Sequence, residues 1–98
     1  MLIVTVDFAT LAADRPFALA TLQEEGSMVR ALWGNLGYTV QLDPDNAGGM
    51  RLTHHWNDAA SFAAYRATPG FKAVGDLLFP KMVGKPTTAV YEATRMVT

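Results

Sequence analysis

The segment MRLTHHWNDAASFAAYRATPGF, residues 50–71, carries the clearest folding signals of the chain. Its first seven residues are typical of a strand. Asn57-Asp58 is a helix-start signal, because a short polar side chain at that position can accept backbone N–H groups. Thr68-Pro69-Gly70 then ends the helix about three turns later. The segment also contains both histidines and one of the two tryptophans, so it predicts a strand–helix unit and the place of a site.

The first helix is predicted from Asp14, which serves as its cap, to Trp33, about five turns in all. Pro16 falls in the first turn, where a missing N–H is tolerated. The apolar residues follow helical spacing, and Glu24 and Glu25 are placed on the remaining, polar arc. The sequence therefore predicts a long amphipathic helix before the second strand.

Period-two alternation predicts strands over residues 2–8 and 38–42, and a composition rich in Thr, Val and Tyr predicts another over 87–96. A further helical turn or two is expected within 71–82. The order strand, helix, strand, strand, helix, strand is that of an α+β, ferredoxin-like βαββαβ fold. In it, both helices cover one face of an antiparallel sheet. The other face has a mixed composition that suits a partly polar contact between the sheets of two subunits: Ile3, Thr5, Thr39, Gln41, Thr53 and His55.

Length and composition limit the class of protein. Ninety-eight residues form one domain, 1–98. Half of them are hydrophobic and only 17% are charged, which predicts a homo-oligomer, by default a two-fold homodimer. A net charge of -1 offers no footprint for nucleic acid or an anionic membrane. With no apolar run of about 20 residues and no basic region before the first strand, we expect a cytoplasmic protein.

The adjacent histidines, His54 and His55, point to opposite faces of a strand and cannot together chelate one metal within a subunit. We therefore expect no metal site. His54 shares its face with Leu52 and Trp56, toward the helices, and a histidine in an apolar cavity there is the best proton-transfer candidate. The alternative is that one histidine is hydrogen-bonded in the core and the other lies at an interface.

The aromatic residues either fill the core or line an apolar pocket for a flat aromatic ligand. The pocket interpretation assigns five residues to substrate binding: Trp33, Tyr38, Leu52, Phe62 and Phe71. No glycine-rich phosphate loop and no serine nucleophile turn occurs in the chain. The sequence thus contains no recognisable device for binding a nucleotide.

Several motifs occur in a set order: Gly-x-x-Gly-Tyr from Gly34 to Tyr38, a strand that ends in Trp56, Tyr65 in the next helix, and Thr-Pro-Gly-Phe over residues 68–71. Together they resemble the antibiotic biosynthesis monooxygenase family. The resemblance implies a dimeric α+β barrel, in which two ferredoxin-like subunits pack sheet against sheet. It also implies activities that include cofactor-independent oxidation of phenols or quinols to quinones, and haem degradation.

The site positions implied by the resemblance both match and differ. Trp56 matches the family's tryptophan at the end of strand three, whereas Leu52 stands where polyketide-tailoring members have asparagine. His54 and Tyr65 occupy positions that are glutamate and histidine in many quinol-oxidising members. The haem-degrading branch has its axial histidine where this chain has Gly75, which argues against haem degradation.

Three hypotheses follow. The first is a monooxygenase that needs no cofactor and oxidises a phenol- or quinol-like substrate to a quinone, with His54 as base and Trp56 and Tyr65 as wall and hydrogen-bond donors. The second is cyclisation or isomerisation of a polyketide-like intermediate in the same pocket, without oxygen. The third is a dimeric ligand-binding protein without activity, which a solidly packed region around His54 would favour.

Overall fold

The computed structural model describes residues 1–98 and contains four strands and three α-helices. In chain order these are β1 (Leu2–Ala9), α1 (Arg15–Val29), β2 (Asn35–Leu42), β3 (Gly49–Trp56), α2 (Ala59–Arg66), α3 (Pro69–Leu78) and β4 (Thr87–Glu92). Short 3₁₀ turns lie at Ala12–Asp14 and Phe79–Lys81. The strands form one antiparallel sheet in the order β2-β3-β1-β4. The predicted α+β, ferredoxin-like fold is confirmed.

The core lies between the helices and one face of the sheet. Residues that are directly paired across antiparallel strands share a face, and Val4 of β1 and Tyr38 of β2 both pair with His54 of β3. These three side chains are buried against helix residues such as Leu22 and Tyr65. His54 therefore lies in the middle of the sheet, on the side that the helices cover.

The opposite face of the sheet remains open. Its register pairs Ile3 with His55, and Thr5 with Thr53, and none of these side chains is buried. At one end of this face, the Arg51 guanidinium donates two hydrogen bonds to the Asp7 carboxylate, at 2.7 and 3.0 Å. The two histidines point to opposite faces, as the strand period predicts.

The first helix is shorter than predicted, because α1 ends at Val29 rather than near Trp33. Beyond it, the N–H groups of Ala31 and Leu32 bond to carbonyls three residues back, which tightens the chain into a turn toward β2. Its start differs as well: the side chain of Asp14 makes no capping hydrogen bond to the helix.

The C-terminal half of the chain is more helical than predicted. Thr68 ends α2 and also begins α3, because its Oγ1 accepts the N–H of Phe71 at 3.2 Å and Pro69 occupies the first turn. The last strand is shorter than predicted, since β4 ends at Glu92 opposite Leu2, where β1 begins. Beyond that pair, Ala93 still exchanges hydrogen bonds with Met1, at 2.8 and 3.1 Å. No helix is long and apolar enough to cross a lipid bilayer; the longest, α1, has 15 residues.

Two glycines with positive φ allow a prediction about stability. Gly34 (φ 79°) and Gly84 (φ 75°) share a left-handed backbone, but a Cβ on Gly34 would overlap the Ser61 hydroxyl, whereas the space around Gly84 is open. Gly84→Ala should lower the free energy of unfolding by about 1–2 kcal/mol, the price of the left-handed conformation. Gly34→Ala should lower it by a further 1–3 kcal/mol or so because of overpacking. Urea denaturation followed by circular dichroism measures both; equal effects would contradict the role of the Ser61 contact.

Candidate active site

An aromatic cage surrounds His54 on the covered face of the sheet. His54 is 3% exposed, and its ring centroid lies 5.7 Å from those of Phe62 and Tyr65 and 5.9 Å from that of Trp56. The helix α2 supplies Phe62 and Tyr65, and it begins where predicted, since the Asp58 carboxylate accepts the N–H of Ser61 at 2.8 Å. The strand–helix unit of residues 50–71 therefore builds most of the cage.

A hydrogen bond from the indole N–H of Trp56 to Nδ1 of His54, 2.6 Å long, fixes the state of the imidazole. An indole nitrogen is a donor only, so Nδ1 must be unprotonated and the neutral ring carries its proton on Nε2. Burial, with a smaller contribution from the charge of His55, lowers the pKa of His54 to about 4. His54 is therefore neutral near pH 7, and Nε2 has no hydrogen-bond partner in the chain.

This arrangement conflicts with the predicted role of His54 as a general base. A base must offer a free lone pair, but the one on Nδ1 accepts the Trp56 N–H and Nε2 holds the proton. The imidazole therefore has its Nε2–H, rather than a lone pair, left for a further hydrogen bond. Trp56 is 0% exposed and donates its N–H to His54. It therefore holds the imidazole in place and does not form a wall of the cavity.

Glu25 lies in the core, which differs from the prediction. It was expected on the polar arc of α1, but it is 6% exposed and its Oε1 accepts hydrogen bonds from the hydroxyls of Tyr38, at 2.8 Å, and Tyr65, at 2.9 Å. Its Oε2 is enclosed and has no hydrogen-bond partner. The signal was available: Glu25 follows Leu22 by three residues and precedes Val29 by four, which puts it on the buried arc.

The carboxyl group of Glu25 and the two tyrosine hydroxyls perturb one another. Burial raises the pKa of Glu25, and the hydrogen bonds from the two tyrosines oppose that shift without cancelling it. Burial and the Glu25 charge raise the pKa of Tyr38 and Tyr65, so both hydroxyls remain protonated. The predicted donation from Tyr65 to a substrate is therefore unavailable, since its hydrogen is committed to Glu25.

A cavity of about 530 Å³ lies between the sheet and the helices α2 and α3. Its wall includes four of the predicted substrate-binding or catalytic residues together with Glu25: His54, Leu52, Phe62, Tyr65 and Glu25. Phe71, also predicted, lies on the same wall, and its ring is 5.2 Å from that of Tyr65. A cavity therefore borders His54. The hypothesis of a purely structural protein required this region to be solidly packed, so the cavity argues against that hypothesis.

Two of the predicted substrate-binding residues lie elsewhere. Tyr38 is 1% exposed and stacks beside His54, behind the wall of the cavity. Trp33 is 88% exposed, because α1 ends before it, and it borders a shallow depression with Ser61 and Ala64. No group of three or more His, Asp or Glu side chains is placed to hold a metal ion.

A second apolar cavity, of about 550 Å³, lies between α1 and α3 and is lined by Met28, Leu32 and Leu77 among others. It shares Glu25, Tyr65, Phe71 and Val74 with the first cavity. These four side chains therefore form the partition between a cavity that faces the sheet and a cavity within the helical layer.

Comparison with known proteins identifies the family of this chain and structures of similar fold. A sequence profile described as antibiotic biosynthesis monooxygenase matches residues 1–76. The chain belongs to the antibiotic biosynthesis monooxygenase family. No match is found among curated protein sequences.

Solved structures of similar fold cover nearly the whole chain. A candidate antibiotic biosynthesis monooxygenase from Deinococcus radiodurans superposes with a TM-score of 0.91 at 22% identity, over 100% of this chain and 97% of that one. One from Caulobacter crescentus gives 0.90 at 18% identity, over 96% and 90%. The Mycobacterium tuberculosis protein Rv0793 gives 0.88 at 15% identity, over 99% and 98%. At these identities the likeness concerns the fold alone.

The protonation state of His54 is open to direct measurement. We expect nuclear magnetic resonance of the imidazole nitrogens to show the Nε2–H tautomer at pH 7 and a titration midpoint of about 4. The unfolded chain binds a proton at the ordinary histidine pKa of about 6.5. The free energy of unfolding should therefore decrease as the pH falls from about 6.5 to about 4, because in this range the unfolded chain binds a proton at His54 that the folded chain does not. A midpoint near 6.5, or the Nδ1–H tautomer, would contradict the Trp56 hydrogen bond.

Proposed function

We propose that this protein is a monooxygenase that needs no cofactor and oxidises a phenol- or quinol-like aromatic molecule to a quinone. The observation that carries the proposal is the cavity of about 530 Å³ whose wall combines aromatic rings with the Nε2–H of His54. Its volume is typical of small-molecule sites, which are mostly apolar and contain a few placed polar groups. Membership of the monooxygenase family supports the same class of reaction.

In this proposal the substrate itself supplies the electrons. A phenolate is electron-rich enough to react with O₂, so the protein has to bind, desolvate and ionise the phenol. One oxygen atom of O₂ becomes bonded to a ring carbon and the other leaves as water, with the ring hydrogen and the phenolic hydrogen. For a simple phenol the balance is one phenol and one O₂ to one quinone and one water.

The role that we assign to His54 is to hold the phenolate oxygen. Its Nε2–H is a neutral donor in a buried site, and such a donor stabilises a developing negative charge more than it does in water. Trp56 positions the ring by fixing its tautomer, and Phe62, Tyr65 and Phe71 supply the apolar surface against which a flat ring packs.

We expect His54→Ala to lower kcat for oxidation of 1-naphthol by about 10²–10³-fold, the usual effect of removing one donor to a developing oxyanion. His55→Ala is the matched control, because this neighbour points to the opposite face of the sheet and lies outside the cavity. An oxygen electrode follows O₂ uptake, and mass spectrometry after reaction under ¹⁸O₂ follows the oxygen in the naphthoquinone.

The same experiment separates the alternatives. Conversion of a polyketide-like substrate without O₂ uptake would indicate a cyclase or isomerase, and binding of aromatic ligands without any turnover would indicate a ligand-binding protein. Full turnover by a folded His54→Ala variant would contradict the assigned role of the histidine.

We also propose that two copies of the chain pack through the open face of the sheet. The support is the composition of that face: Ile3 and Tyr91 provide apolar surface at one end, threonines lie at the centre, and the Asp7–Arg51 ion pair lies at the other end. A face of this mixed polarity suits a two-fold contact.

A charge at the centre of this face should separate the two copies. Thr5 pairs with Thr53 on one side and Ala89 on the other, so Thr5→Lys would place two lysines close together across a two-fold contact. Multi-angle light scattering should report twice 10.6 kDa for the unchanged protein and 10.6 kDa for the variant. Gln23→Lys, on the exposed surface of α1, is the control and should leave the mass unchanged. A monomeric unchanged protein would refute the proposal.

A further inference from the structure

We propose that Glu25, through its Oε2, is the catalytic base that takes the phenolic proton of the substrate. This inference rests on the proposed function, since it requires a phenol in the cavity beside His54. It assigns to α1 a catalytic residue that neither the motifs of residues 50–71 nor the family match indicates.

A count of donors and acceptors in the interior around the cavity leads to Glu25. The Trp56 N–H is used by His54, and the hydroxyls of Tyr38 and Tyr65 are used by Glu25. Among these interior groups, two atoms remain without a partner: the donor Nε2–H of His54 and the acceptor Oε2 of Glu25. An un-ionised phenol needs an acceptor for its hydrogen and a donor for its oxygen, and this pair supplies one of each.

The unpartnered oxygen is unusual for a buried carboxylate. Buried polar atoms are almost always hydrogen-bonded, because an unpaired acceptor in the interior loses its interaction with water and gains nothing in return. Glu25 has no salt bridge, and Oε2 is the only enclosed side-chain nitrogen or oxygen without a hydrogen bond. Because Oε2 has less than 1 Å² of accessible surface, a ligand hydroxyl that donates to it has to displace the side chains that enclose it, and the new hydrogen bond would then remove this deficit.

The proton transfer balances within the proposed reaction. The phenolic O–H bond breaks, the proton goes to Oε2 of Glu25, and the electron pair stays on the phenolate oxygen beside the Nε2–H of His54. When O₂ has added to a ring carbon, Glu25 returns this proton to the terminal oxygen of the resulting peroxide anion. Loss of the ring hydrogen as a proton, together with hydroxide from the O–O bond, gives the quinone and water and leaves Glu25 ionised.

The surroundings of Glu25 make its carboxylate a stronger base than that of an exposed glutamate. Burial raises its pKa above the ordinary glutamate value of about 4.3, and this makes the carboxylate a stronger base. The titratable and charged groups near Glu25 or on the walls of its two cavities come from every adjoining element: Tyr38 on β2, His54 on β3, Tyr65 and Arg66 on α2, Lys72 and Asp76 on α3, and Glu24 and Arg30 on α1.

The first test is Glu25→Gln, which keeps the shape and an acceptor for the two tyrosines but removes the base. We expect kcat for 1-naphthol to fall by about 10²–10⁴-fold, the usual contribution of a general base. The acidic limb of the kcat/KM profile should also disappear. Glu24→Gln is the matched control, since this neighbour is exposed, lies outside the sheet-facing cavity and changes the charge equally.

A second variant keeps the carboxylate and moves its pKa. The hydrogen bond from Tyr38 lowers the pKa of Glu25, and Tyr38 does not line the sheet-facing cavity. Tyr38→Phe should therefore shift the acidic limb of the kcat/KM profile to higher pH while activity on the alkaline side persists. A purely structural role for Glu25 would not move this limb, so the variant decides the matter even where Glu25→Gln fails to fold.

A binding measurement separates this inference from the proposed function. 4-Nitrophenol becomes strongly coloured when ionised, so a titration below its solution pKa reports whether the bound phenol has lost its proton. We expect a bound phenolate in the unchanged protein and a bound neutral phenol in Glu25→Gln.

The outcomes are distinct. A bound phenolate that depends on Glu25, without oxidation of any phenol, would support the base and refute the oxygenase. Oxidation that is unaffected by Glu25→Gln, or an acidic limb that Tyr38→Phe leaves in place, would refute the base and leave the oxygenase standing. Failure of 4-nitrophenol to bind at all would refute both.

Discussion

The hydrogen bonds that Tyr38 and Tyr65 donate to Glu25 join three elements of the subunit at one buried carboxylate. They link α1 to β2 across 13 residues of sequence and to α2 across 40. A buried acceptor of this kind restricts both tyrosine rings, because either hydroxyl would lose its partner if its ring moved. The same two rings flank His54, so the carboxylate on α1 sets the shape of the cage around the histidine.

The carboxylate and the imidazole beside the cavity come from different elements, α1 and β3. In the resemblance, a glutamate precedes the tryptophan on strand three and a histidine lies in the next helix, whereas this chain has His54 and Tyr65 at those positions. The buried carboxylate comes from α1 instead, and the histidine comes from the strand. A carboxylate and an imidazole thus lie on the wall of one cavity, at positions other than those that the resemblance implies.

Local sequence signals predicted the fold and the face of each histidine. Alternation over residues 50–56 and the Asn57-Asp58 step are properties of neighbouring residues, and the structure agrees with both. The predicted position of Glu25 is wrong, because a charged side chain favours the solvent arc whereas the spacing from Leu22 places this residue in the core. Its two tyrosine partners could not be identified from sequence, since those contacts depend on how α1 packs on the sheet and on α2. Trp33 was misassigned because the end of α1 is set by the turn into β2.

The hydrogen bond from the Trp56 indole fixes the direction in which the imidazole of His54 can donate a hydrogen bond. In water an imidazole exchanges its proton between two nitrogens, and its dipole reverses with the exchange. Trp56 can only donate, so the ring of His54 is confined to one of its two tautomers. Its Nε2–H is consequently a fixed dipole, whose orientation was settled when the chain folded and needs no rearrangement when a ligand arrives.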